Sequence, residues 1–162
     1  MAAGLAVEVF KAVAAPVAAG FVRSVLVAAA LVVGVSGSLS VRLTGDREMR
    51  RLNRSFLGED RPTDVLSFPL AAPGVGVGVG EGVGGSGGYL GDLAVSWPAV
   101  VRQAAEYGHP VETELALLLV HGLLHLVGHD HATASDEASM SALTLRCLAA
   151  SGLAPAAARL KS

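Results

Sequence analysis

Residues 38–43 alternate polar and apolar side chains without a break (Ser38, Leu39, Ser40, Val41, Arg42, Leu43), the period-two signature of a strand buried on one face. Residues 5–10 alternate enough to predict a first strand, and 17–33 form an Ala/Val/Leu stretch that predicts a helix buried on a broad face. After the alternating strand, Thr44 or Asp46 is placed to cap a helix that runs to about Leu57 and stops at Gly58. Pro62-Thr63-Asp64 opens a short apolar strand over 65–68, closed by Pro69, and 91–96 predict another strand. A helix follows over about 98–107. Pro110 suits the first position of the next helix, and Thr133 or Ser135 is placed to cap a last one reaching about Ala150. Strands and helices mix without a regular βαβ repeat. The expected class is therefore α+β, one compact domain over 1–162 with a small sheet and about five helices.

Residues 73–88 break the pattern. Gly and Val alternate there, and then Gly dominates, which leaves too few side chains to pack and too much backbone entropy to freeze into a strand. A flexible loop is expected. A phosphate-cradling glycine loop would need a Lys-Ser/Thr ending and a following helix, and this segment has neither.

Apolar residues make up 52% of the 162 positions but aromatics only 4%, so the core must be built from Ala, Val and Leu. The apolar run at 25–35 is well short of the roughly 20 residues that span a bilayer. Glu8 and Lys11 precede it in an order unlike the basic start of a signal peptide. A single cysteine, Cys147, excludes an internal disulfide and fits a reducing compartment, so a cytoplasmic protein with no membrane partner is expected. Cys147 lies in an apolar helical pattern and reads as a core residue. The net charge of −2 argues against a general basic coat, yet half of the twelve Lys and Arg residues fall between Arg42 and Arg61. Arg47, Arg50, Arg51 and Arg54 share one helical face at i, i+3, i+4, i+7, a stripe that either tracks phosphates or is simply solvated, with Asp46 and Glu48 as partial counter-charges.

The chemistry concentrates in His121-Gly122-Leu123-Leu124-His125-Leu126-Val127-Gly128-His129-Asp130-His131, which holds four of the five histidines. On a helix, His121 and His125 lie about 40° apart around the axis and about 6 Å along it, so both rings can reach one ion. Gly128 lets the backbone leave the helix through a left-handed conformation, and the excursion can return His131 as a third ligand. Three imidazoles and an open position suit a catalytic zinc ion better than a closed structural one. The spacing matches the metzincin proteases, but those carry Glu after the first His as general base, where this chain has Gly122. Phosphodiester cleavage is less demanding, since a metal stabilises phosphoryl oxygens and RNA carries its own 2′-hydroxyl.

The motif His121-Gly-x-Leu-His125-Leu-x-Gly128-x-Asp130-His131 closely resembles the signature of the YbeY family of bacterial endoribonucleases and rRNA maturation factors. Two further blocks agree: Leu52-Asn53 with Gly58-x-Asp60-x-Pro62-Thr63-Asp64-Val65-Leu66-Ser67-Phe68-Pro69, and Leu90-Gly91-Asp92-Leu93. The resemblance covers roughly residues 5–150. It implies a mixed sheet, one Zn2+ held by His121, His125 and His131 at the end of a central helix, and single-stranded RNA as substrate. It further implies a place in 16S rRNA 3′-end maturation and ribosome quality control on the small ribosomal subunit, with no DNA partner. Leu57 stands where the family usually has an arginine important for activity, leaving Arg54 and Arg61 as the nearby cations. His129 stands where the family usually has Tyr; it could bind the metal, act as acid or base, or fill the aromatic slot. His129, Asp130, Arg54 and Arg61 are thus the catalytic candidates. A non-catalytic ribosome-assembly factor with a structural metal is the alternative, and a zinc protease a weaker one.

Overall fold

The computed structural model describes residues 4–70, 88–129 and 132–160. Four strands form one mixed sheet: β1 (Leu5–Lys11), β2 (Gly37–Thr44), β3 (Val65–Pro69) and β4 (Tyr89–Ser96), in the order β1-β2-β4-β3. The first three strands in that order run parallel, joined by helical crossovers, and β3 lies antiparallel on β4 as an edge. Among the described residues, six helices accompany the sheet: α1 (Ala19–Val33), α2 (Asp46–Leu57), α3 (Trp97–Tyr107), α4 (Val111–Leu126), α5 (Ala134–Ala149) and α6 (Ala157–Leu160).

Alternation along the strands sorts the two faces. Leu39, Val41, Leu43, Leu93 and Val95 point into one core with Leu115, Leu119 and Leu123 of α4 and Val25, Leu26 and Ala29 of α1. This core is made of Leu, Val and Ala, as the shortage of aromatics requires. Cys147 is buried within it, with its thiol pushed up by burial. On the opposite face α2 covers only the β3–β4 half, through Met49 against Leu66 and Ala94. Asp46 fixes the start of α2 by accepting hydrogen bonds from Ser96 (2.8 Å) and from Arg102 of α3 (2.8 Å).

Several expected boundaries shift by a residue or two. α1 starts at Ala19 because Ala18 caps it in an extended conformation and Val17 is held outside, its N–H donating to Ala15. Neither Thr44 nor Asp46 caps α2. Thr44 is still paired in β2, Asp46 is turned to Ser96 and Arg102, and Gly45 occupies the cap position without a side-chain bond. Pro110 is the N-cap of α4 rather than its first residue. Thr133 does cap α5, its hydroxyl accepting from the Asp136 N–H. The sixth helix exceeds the expected five: α6 is a single turn, too short for any periodicity to register. Of the Gly-rich loop expected at 73–88, all but Gly88 lies outside the described residues, as do Asp130 and His131.

Candidate metal centre and its cleft

α4 is buried on nearly every side because it lies between the sheet, α1, α3 and α5. Its last two turns carry the half-buried His121 and His125. The Nε2 atoms of His121 and His125 are 3.0 Å apart and the rings meet nearly edge to face. Two nitrogens each about 2.05 Å from one ion subtend roughly 95° at that separation, between octahedral and tetrahedral values. The separation would let both nitrogens reach one ion, and imidazole suits zinc. Gly128 takes the left-handed conformation (φ 98°) expected of the helix exit, and the His129 N–H closes the turn on the Leu124 carbonyl at 2.9 Å. The third expected ligand, His131, lies outside the described residues, as does the catalytic candidate Asp130. His129 is exposed.

Gly122 explains itself structurally. A Cβ there would stand 2.8 Å from Leu93 Cδ2 and 3.4 Å from Ser67 Oγ, while Ser67 donates to the Gly122 carbonyl at 3.0 Å. This position faces the sheet, so a general-base Glu as in the metzincins would meet β4 instead of a substrate. Ser67, which periodicity marks only as a strand residue, ties the edge strand to the histidine-bearing turn. Gly91 likewise permits close approach: at φ 143°, a Cβ there would run into the Phe68 carbonyl oxygen.

A cleft of about 500 Å³ opens beside His121, between α4, α5 and the C-terminal segment; Asp64, Glu137, Ser141, Thr144 and Arg159 supply its polar lining. Its C-terminal wall is held by a buried network that no sequence motif announces. Glu114, fully buried, accepts from His109 Nε2 (2.7 Å) and from Arg159 Nε (3.2 Å). The Ala156 N–H donates to His109 Nδ1 at 2.9 Å, so the proton that His109 gives to Glu114 sits on Nε2. Arg159 also stacks 4.9 Å over the Tyr107 ring.

The arginine candidates lie elsewhere. Arg54 and Arg61 are exposed around the end of α2, Arg54 3.9 Å from Asp60 and Arg61 paired with Glu59; neither lines the cleft beside His121, nor does Leu57. Within the stripe, Arg50 holds Asp60 in a two-pronged pair that keeps this carboxyl below its usual range, and Arg51 reaches Glu48. Arg47 makes no ion pair among the described residues. The stripe is therefore more neutralised than its sequence suggests. Asn53 pins the adjoining loop by donating to the Arg61 carbonyl at 2.9 Å.

The family model for endoribonuclease YbeY matches residues 11–152. The chain belongs to this family. Among curated members, the endoribonuclease YbeY of Moorella thermoacetica is 48% identical over 131 residues, spanning 80% of this chain and 83% of the relative. That of Roseiflexus sp. (strain RS-1) is 47% identical over 116 residues, 71% of each. The solution structure of the Thermotoga maritima protein TM1509 aligns with a TM-score of 0.57 at 23% identity, over 88% of this chain and 89% of that one, a likeness of fold. What the fold adds to the sequence motif is that Gly122 is a contact with the sheet. No helix among the described residues is long and apolar enough to cross a membrane.

Proposed function

We propose that this chain is a metal-dependent endoribonuclease acting on single-stranded RNA, with one zinc ion held by His121, His125 and His131. The observation that carries the reading is the pair of Nε2 atoms 3.0 Å apart at the mouth of a cleft, in a chain whose relatives are named endoribonuclease YbeY. Zinc bound there would supply Lewis acidity toward phosphoryl oxygens and activate water near neutral pH. The protein's own part is orientation. Ser67 fixes the Gly122 carbonyl, and hence the turn that aims both rings. The wall locked by Glu114 and Arg159 confines the strand beside His121. Single-stranded RNA is the substrate that the family resemblance implies, and duplex RNA serves as the comparison in the test. The family implies 16S rRNA 3′-end maturation and ribosome quality control on the small subunit, in the cytoplasm, with no DNA partner. The lone buried thiol is compatible with that compartment.

The test is cleavage of single-stranded and duplex RNA by zinc-loaded protein beside a His121→Ala control, with zinc stoichiometry measured in parallel. Cleavage of the single strand that disappears with the control, together with loss of bound zinc, supports the reading. One observation favours a second reading, a non-catalytic assembly factor with a structural metal: Leu57 is exposed and aliphatic where the family carries its arginine. RNA binding without His121-dependent cleavage would establish that alternative.

A further inference from the structure

The chain has four phenylalanines, and three of them gather outside the core. Because α2 covers only half of its face of the sheet, a groove of about 760 Å³ remains over β1, β2 and the Asp92 end of β4. Phe10 of β1, Phe56 of α2 and Phe68 of β3 line it. Phe10 is 57% exposed and Phe56 64% exposed, and Phe56 meets Phe68 edge to face at 5.0 Å. In a chain that builds its core from aliphatic residues, leaving two aromatic rings mostly in water calls for a ligand with π-faces of its own. The polar groups of the groove are arranged for hydrogen bonding. Ser40 and Tyr89 both donate to Asp92, whose remaining lone pairs can accept from the N–H groups that every unpaired base carries. The charges that line it, Arg23 and Arg42 against Glu8 and Asp92, cancel, so the groove itself is no phosphate track. Phosphates would instead lie along the rim. There Arg42 stacks 4.9 Å over Phe10 and shares Glu48 with Arg51, which links the groove to the α2 stripe and to Arg47.

We propose that this groove is a second RNA-binding surface, on the sheet face opposite α4, where unpaired bases of the substrate stack on Phe10 and Phe56 while α2 carries the phosphates. The proposal rests on the RNA-directed reading above and names where the strand lies away from the scissile bond. Stacking on aromatic rings tolerates any base, because every base has a π-face, and requires the bases to be unpaired. The groove would therefore add affinity for single strands without adding sequence preference.

The test uses the full chain without metal and a labelled oligouridine of about ten nucleotides, a length within the usual span of a stacking groove. Binding is read by fluorescence anisotropy at fixed salt. Phe10→Ala and Phe56→Ala should each weaken single-strand binding about tenfold, Phe56→Trp should keep it, and affinity for a duplex of equal length should not change. Both rings are mostly exposed, and the Trp variant separates lost stacking from lost fold. Unchanged single-strand affinity in both alanine variants overturns the proposal. So does an equal loss for the duplex, or variants that keep RNA affinity but lose a bound protein. If instead the metal-centre reading is the one at fault, His121-dependent cleavage will be absent while the stacking difference persists.

Discussion

Replacing Gly122 by Ala tests whether the residue between the two histidines is a packing contact. In an exposed helix interior, Gly→Ala stabilises by about 1 kcal/mol through helix propensity and a less flexible unfolded chain. Here the new methyl would stand 2.8 Å from Leu93 Cδ2 and 3.3 Å from Cδ1, about 1 Å inside the usual carbon–carbon contact of 3.5–4.0 Å. Leu93 is almost fully buried in a central strand, so its side chain can yield only by displacing other core residues. Overpacking of this kind costs about 1–3 kcal/mol, which outweighs the propensity gain and leaves a net loss of about 1 kcal/mol. For a chain of this length that lowers Tm by about 3 °C. Gly122→Glu should be far worse. Four more heavy atoms and a charge would have to enter the same space, at a cost of several kcal/mol, a large part of a typical domain's stability. Thermal and urea unfolding of the three proteins, with equal m-values as the control, gives the answer. A Gly122→Ala variant that melts higher than the parent would show that the position is open, and would refute the packing account along with the reason for dismissing the protease reading.

Three other outcomes follow from named contacts. Glu114→Gln should cost about 3 kcal/mol in urea unfolding, because it leaves Arg159 facing a neutral amide in a buried site, and should speed amide exchange over 153–160; a loss below about 1 kcal/mol would show that the C-terminal segment is held by other contacts. Glu48 is held below its ordinary value of 4.5 chiefly by the Arg42 hydrogen bonds, so its contribution is complete above about pH 4.5 and fades as the pH falls through its lower folded value. Glu48→Gln should accordingly lower stability at pH 7 and flatten its decline below pH 4.5, and parallel pH profiles for the two proteins would contradict the pairing. Leu57→Arg should raise RNA cleavage about a hundredfold if a guanidinium at that position stabilises phosphoryl charge; no gain, together with abolished cleavage in Arg54→Ala or Arg61→Ala, would assign the charge to an existing arginine.

Much of this protein is legible without coordinates, and for a definite reason: short-range pattern suffices wherever a single element decides the outcome. The alternation at 38–43 is β2, the Gly58 stop ends α2, and His121 and His125 face one another because four residues on a helix must. What depends on contacts far apart in the chain stayed hidden. The order β1-β2-β4-β3 follows from crossovers and core burial, which no local pattern encodes. The arginine stripe had Asp46 and Glu48 as its expected counter-charges, but that Asp60, brought back by the loop that Asn53 pins, takes up Arg50 was visible only in the fold. Gly122 looked like a missing base until β4 came up against it, and Glu114, an unremarkable residue in a first helical turn, became buried only when Arg159 and His109 arrived from 45 and 5 residues away. The three phenylalanines are scattered over 10, 56 and 68 in sequence, and only the incomplete cover that α2 gives the sheet turns them into one surface. Spacing within a helix determined which side chains could share an ion. The packing of strands and helices decided which other residues stand around it, because a side chain's surroundings are set by whatever the rest of the chain places against it.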